Sequence, residues 1–230
     1  MQALEIELNE ELDIWRSQRW EEKCWRRENN DVALISQEPV TPKNFKDARK
    51  VDAQNSDDGW EVAEQDEWSG LWKKEAFSDQ KITTQKLHHM LWTYKIKSTS
   101  KKKARLCFDG RRQDPSTYDV IRSPTMRLTS LRLLLSKAAE HSWDIFADDA
   151  AQAFLNAERP ADKPLFASYP EGYKRPGHCL FVRRMLYGLH DAPKGWYDEV
   201  RAHMVNDQGF RQSDTDECLF VKSGIYVIVH

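Results

Sequence analysis

The sequence predicts an α+β fold in which an antiparallel sheet packs against helices. Three observations carry this. Leu91-Trp92-Thr93-Tyr94-Lys95-Ile96-Lys97 alternates apolar and polar positions, and a polar turn joins it to a second run, Ala104 to Phe108, as in a hairpin. Leu131, Leu134, Leu135 and Ala138 recur at helical steps within Thr129 to Glu140. Two further apolar runs, 217–222 and 225–230, read as a second strand pair. Mixed elements in this order argue for α+β with an antiparallel sheet.

The elements follow in chain order. Leu4, Leu8, Leu12, Ile14 and Trp15 predict a helix over 3–28, with acids early and arginines late, as the helix dipole favours. Residues 29–58 are turn-rich and read as a linker, which sets 1–58 apart as an N-terminal region. Asp57-Asp58-Gly59 offers a helix start, and Trp60, Ala63, Glu64, Glu67, Trp68, Leu71 and Glu75 carry that helix to about 76. The hairpin 91–108 comes next, with Ser98 to Lys103 at its tip. Ser123-Pro124 is a stop, and helix 129–140 follows it. Residues 143–148 read as a buried strand, and Ala150 to Asn156 as a helix start or tight turn. A strand over 178–186, a helix from Pro193 to Asn206 and the last strand pair complete the chain. Repeats and low-complexity segments are absent from the sequence.

Composition narrows the function classes. In 230 residues the hydrophobic share is 40%, the charged share 31% and the mean hydropathy −0.78. That is polar, but nine tryptophans argue against wholesale disorder. Apolar runs are all too short to span a bilayer, and the acidic opening MQALEIELNEELDIW lacks the basic start and apolar core of a secretory leader, so neither membrane nor export is expected. Cys24, Cys107, Cys179 and Cys218 are scattered without a CxxC pair, which removes the usual zinc spacings and reads as free thiols in a reducing compartment. The net charge of −2 hides a strong asymmetry: residues 81–137 carry 14 Lys/Arg against 3 Asp/Glu, while 1–80 carry 11 against 20. A basic block between acidic ones is a candidate polyanion surface.

Two stretches are candidates for chemistry. Lys101, Lys102, Lys103 and Arg105 cluster at the hairpin tip, with Asp109, Arg111 and Arg112 just beyond. Such a run is either a solvated edge strand or a phosphate-binding surface; Trp92, Tyr94 and Phe108 interleaved among the charges suit nucleic acid or plain strand packing equally well. The second stretch is DIFADDAAQAFLNA, 144–157, where Asp148 and Asp149 are adjacent. Side chains alternate across a strand, so neighbouring acids cannot share a face. One carboxylate at a strand end is either a turn cap or a ligand, and spacing alone leaves both open.

The succession of SPTMRLTSLRLLL, AFLNA, YPEGY, LYGLHDAPKGWY and IYVIVH, preceded by LWTYKIK and KARL, resembles the reverse transcriptase of copia-type LTR retrotransposons over Trp60 to His230, roughly three quarters of the chain. The resemblance implies a right-hand polymerase, with fingers and the start of the palm in 59–142 and a partial palm in 143–230. It implies that Asp149, five residues before Phe154, is the first catalytic carboxylate and binds magnesium with the backbone carbonyl of Ala150, while Asp148 is a bystander. Phe154 would lie under the sugar of the incoming nucleotide and exclude a 2′-hydroxyl. Arg105 would stack on the base and reach the phosphates, Lys103 would contact the triphosphate, and Tyr187 and Gly188 would sit beside the 3′-hydroxyl. Lys101, Lys102, Arg111 and Arg112 would meet the nucleic acid. Asp109 stands where a lysine is usual in copia elements, and Arg127 occupies a family position to which no role is carried over.

The implied chemistry is in-line phosphoryl transfer by two Mg²⁺ ions about 3.5–4 Å apart, which requires carboxylates from more than one strand. The family's other carboxylates lie in a Tyr-x-Asp-Asp hairpin expected directly after Ile225 to His230. The resemblance therefore places that hairpin, the remaining palm, the thumb and ribonuclease H outside these residues, and predicts weak or no Mg²⁺ binding and no polymerase activity from this chain alone. The expected partners are an RNA or DNA template-primer and a deoxynucleoside triphosphate, and the expected location is a cytoplasmic virus-like particle. Two other readings remain open at this level: a nucleic-acid-binding remnant without chemistry, and a decayed product without function.

Overall fold

The computed structural model describes residues 40–119 and 121–229. The expected helix over 3–28, and Cys24 with it, lies outside the described residues. Thr41–His230 forms one compact unit.

Helix α1 (Phe45–Asn55) opens it, within the stretch expected to be a linker. Asn44 caps it by accepting from the Asp47 N–H at 3.0 Å, and Ser56 ends it in the left-handed region at φ 52°. Its turn-like composition hid a short buried face of Ala48, Val51 and Asp52. Asp52 explains why the segment orders. Its carboxylate accepts from the N–H groups of Trp60 and Glu61 at 3.2 and 3.1 Å, so it caps the first turn of helix α2 (Gly59–Lys73) from the neighbouring helix. Helix α2 fulfils its expectation and buries Trp60, Glu64 and Leu71.

Among the described residues, nine strands form three sheets. The hairpin of β3 (Met90–Ile96) and β4 (Lys102–Phe108) is antiparallel, with Trp92 opposite Leu106, Thr93 opposite Arg105 and Lys95 opposite Lys103. A four-stranded mixed sheet joins β1 (Phe77–Lys81), β6 (His178–Val182), β5 (Phe166–Ala167) and β2 (Leu87–His88) in that spatial order; only the β2–β5 pair is parallel. A third, antiparallel sheet orders β7 (Arg211–Gln212), β8 (Leu219–Lys222) and β9 (Ile225–Ile228). Helix α3 (Leu128–His141) and helix α4 (Ala192–Ala202) complete the unit, α4 running on into a π turn over His203–Asp207. The fold is thus the mixed α+β class that the sequence predicts.

The main core lies where α2, the inner face of the hairpin and the four-stranded sheet meet. Leu71, Phe77, Trp92, Leu106, Phe108, Leu165, Leu180 and Leu186 fill it. Trp68 gathers aromatic neighbours at its edge, with ring centroids 4.8 Å from Tyr173 and 5.7 Å from Trp72.

One expected element is absent. Residues 143–148 do not form a buried strand: the segment is irregular and exposed, with Ile145 at 62% and Phe146 at 90% of full exposure. A strand needs a ladder neighbour, and among the described residues every strand finds its partners elsewhere. At the start of the segment Trp143 donates its backbone N–H to the Ala138 carbonyl at 2.9 Å and stacks on Tyr226 of the edge strand β9 with centroids 5.2 Å apart. Helix α3 is correspondingly bare: only Ala138 is buried, and Leu133 and Leu135 are exposed.

Candidate nucleotide and nucleic-acid site

Strand alternation sorts the basic residues of the hairpin onto two faces. Thr93, Lys95, Lys103 and Arg105 share the outer face and, with Tyr94, Lys97 and Ser98, line an open groove of about 660 Å³. Trp92, Ala104 and Leu106 share the inner face and are buried. Lys102 also points inward. Its ammonium meets Asp57 at 2.6 Å and Asp52 at 3.4 Å and lies 5.4 Å from the Trp60 ring centroid. Lys101 is exposed at the tip.

Arg105 connects the hairpin to the rest of the site. Its guanidinium sits 4.0 Å from the centroid of the Tyr187 ring, a cation–π stack. Tyr187 in turn leans on Phe154, centroids 4.8 Å apart. Phe154 is half-buried in a 3₁₀ turn over Ala153–Asn156, which Gln152 enters in the left-handed region at φ 51°. The Tyr187 carbonyl accepts from the Phe108 N–H at 2.7 Å, fixing the loop against the end of β4. Gly188 has φ +93°, and a Cβ there would overlap the Phe108 carbonyl, so glycine is required on both counts. A Cβ at Gly110 would likewise overlap the Gly188 carbonyl. Three side chains from distant parts of the sequence thus touch in series, Arg105 over the Tyr187 ring and Phe154 tilted at 55° to that ring, on the side of the hairpin that carries Lys103.

The remaining candidates lie apart from the stack. Arg111 is exposed and donates from Nε to the Asp109 carboxylate at 2.9 Å; this hydrogen bond, more than any other interaction, holds the Asp109 carboxyl below the usual carboxylate range. Arg112 is exposed in the same short turn. Asp148, Asp149 and Ala150 are exposed in the irregular segment, where the Asp149 N–H donates to the Asp148 carboxylate at 2.8 Å. Among the described residues, no group of three or more His, Cys, Asp or Glu side chains is placed to hold a metal ion. The two adjacent carboxylates do not by themselves fit a two-magnesium site, because among the described residues no third carboxylate, histidine or cysteine joins them.

The sequence reading missed Lys95, which faces Lys103 directly across the ladder. Parity with Thr93 would have found it once the hairpin register was known. Glu67 was read only as a helix position, yet it accepts from the Leu106 N–H at 3.4 Å, and burial pushes its carboxyl above the usual range.

The family model described as "Reverse transcriptase (RNA-dependent DNA polymerase)" matches residues 78–229, which contain the hairpin, the stack and Asp149. The chain belongs to the reverse transcriptase family. It is related to the Pol polyproteins of copia-type plant and yeast retrotransposons. The Pol polyprotein of transposon RE1 of Arabidopsis thaliana is 36% identical over 141 residues, 58% of this chain and 9% of that protein. That of transposon TNT 1-94 of Nicotiana tabacum is 30% identical over 140 residues, 57% and 10% of the two chains. A truncated Ty1-A Gag-Pol polyprotein of Saccharomyces cerevisiae is 23% identical over 158 residues, 68% and 13%. The chain spans about a tenth of the length of the curated relatives it matches. No solved structure matches it. This reverse transcriptase domain has no helix, among the described residues, long and apolar enough to cross a membrane.

Proposed function

We propose that these residues are the nucleotide- and template-binding part of an RNA-directed DNA polymerase, with fingers and the start of the palm over 59–142 and a partial palm over 143–230. The observation that carries the proposal is the Arg105–Tyr187–Phe154 series on the side of the hairpin that carries Lys103, within the segment that the family model matches. A flat cation over an aromatic ring provides a platform for a base. Lys103, with Lys95 in register beside it, supplies charge for a triphosphate. Phe154 presents a half-buried ring where bulk excludes a 2′-hydroxyl, and Gly188 lets backbone approach the substrate closely. Lys101 and Arg112 are exposed to meet phosphates of the template-primer; Lys102 does so only by leaving Asp57, and Arg111 only by leaving Asp109 or sharing its guanidinium with it.

Asp149 is assigned as one carboxylate of the polymerase metal site, with the Ala150 carbonyl as a further oxygen. The 230 residues contain no Tyr-x-Asp-Asp run. Magnesium would supply charge neutralisation at the phosphoryl group, but the donors here do not complete its ligand set, so the chain alone is assigned binding rather than chemistry. Binding without any catalytic role is the second reading, favoured by the lack of a metal-ligand cluster among the described residues.

Primer extension on an RNA template separates the two. The 230-residue chain is expected to be inactive. A form extended through a Tyr-x-Asp-Asp hairpin and the remaining palm and thumb is expected to be active, and Asp149→Asn in that form to abolish extension. Activity of the short chain, or full activity of the Asp149→Asn form, would overturn the assignment of Asp149.

A further inference from the structure

Beneath the loop that carries Tyr187 lies a buried polar cluster to which the proposed site gives no role. Arg159 is buried, with 2% of its side chain exposed, and its Nη1 meets both oxygens of Asp191 at 3.2 and 3.4 Å. Its Nη2 donates to the carbonyls of Thr117 at 2.8 Å and Lys163 at 3.4 Å. Asp191 precedes the first turn of α4 but makes no side-chain cap to it; its carboxylate serves Arg159 and the side chain of Gln113 instead. The Gln113 amide donates to Thr117 Oγ1 and Asp191 Oδ1, which turns its carbonyl oxygen toward the His190 N–H at 2.8 Å.

The Tyr187–His190 loop is therefore held at two ends. The Phe108 N–H holds Tyr187 in front, and Gln113 holds His190 behind. Arg159 determines the rear hold, because its planar fork fixes the Asp191 carboxylate and the Thr117 backbone together, and Asp191 Oδ1 and the Thr117 hydroxyl orient Gln113. We infer that Arg159 is a positioning residue that sets the Tyr187–Gly188 loop, and with it the stack on which the incoming nucleotide is read. The link to the nucleotide rests on the proposed function; the link to the loop does not.

The test uses the full chain labelled with fluorotyrosine and observed by ¹⁹F NMR, with Tyr187→Phe assigning the Tyr187 line. Arg159→Lys keeps the charge but loses the fork. In nucleotide-free protein of native circular dichroism it is expected to shift or broaden the Tyr187 line and to leave those of Tyr169 and Tyr226 in place. Asp191→Asn, which keeps the shape and removes the charge, is expected to do the same and covers the case in which the lysine variant does not fold. An unmoved Tyr187 line, an equal change in every tyrosine line, or failure of both variants to fold would overturn the inference and leave Arg159 a purely structural residue. A deoxynucleoside triphosphate added to the wild type is expected to move the Tyr187 line, and Arg159→Lys to weaken that binding about tenfold. No response from the wild type would sink the nucleotide reading, while the nucleotide-free comparison still decides the role of Arg159 in the loop.

Discussion

At Gly188 the backbone conformation and the space are set by the same neighbour. The residue has φ +93° and faces the carbonyl of Phe108, whose own N–H donates to the Tyr187 carbonyl. Gly188→Ala is expected to cost about 1–3 kcal/mol for the backbone conformation alone, before the overlap with the carbonyl is counted. A melting temperature equal to that of the wild type would show that the loop is not held as described. Glu67 gives a prediction in pH. Burial raises its carboxyl above the value it has in an unfolded chain, so the folded state binds that proton more tightly. Ionised Glu67 therefore opposes folding at neutral pH, and the opposition fades as pH falls through the raised value. Glu67→Gln is expected to melt higher than wild type at pH 7, with the gap narrowing on acidification. A lower melting temperature at pH 7 would mean that attraction to nearby Arg105 and Lys103 outweighs burial.

The hairpin depends on elements upstream of the family match. Lys102 pairs with Asp57 and Asp52, the Tyr94 hydroxyl donates to Glu64 at 2.6 Å, and Trp60 packs edge-on against Tyr94. Helices α1 and α2 are thus the platform for β3 and β4, although the match begins at residue 78. Trp60→Ala removes the largest fully buried side chain and is expected to cost about 3–5 kcal/mol. At this chain length that is a fall of roughly 6–20 °C in melting temperature, readable by circular dichroism. The contrast between elements shows what a sequence makes legible. The hairpin, α2, α3 and the last strand pair were visible because their apolar periods are local. Helix α1 was not, because its order comes from Asp52 capping a different helix, and two-residue strands such as β2 and β5 are too short to carry a period. The segment 143–148 misled in the other direction, since apolar residues mark a strand only where a partner strand exists. In the site, Arg105 and Phe154 stood in recognisable motifs, whereas Lys95 required the ladder register and Arg159 required the packed loop.

Across the molecule, charge and apolar surface are both unevenly spread. The basic block 81–137 is folded so that Lys95, Lys97, Lys103 and Arg105 line one groove while the net charge stays at −2. Binding of single-stranded RNA is expected to weaken with salt at a logarithmic slope of roughly −3 if these four side chains meet phosphates. Replacing Lys103 and Arg105 together by alanine should bring the slope to about half, and an unchanged slope would place the RNA elsewhere. On helix α3, the segment after it and strand β9, Leu133, Leu135, Ile145, Phe146, Ile225 and Tyr226 remain open to solvent. Soluble chains seldom leave so much large apolar surface uncovered. A fluorescent dye such as ANS seeks the same surface that a molten globule exposes. This chain is expected to brighten such a dye while fully native, so for this molecule a bright dye signal and a cooperative near-ultraviolet spectrum belong together rather than exclude each other.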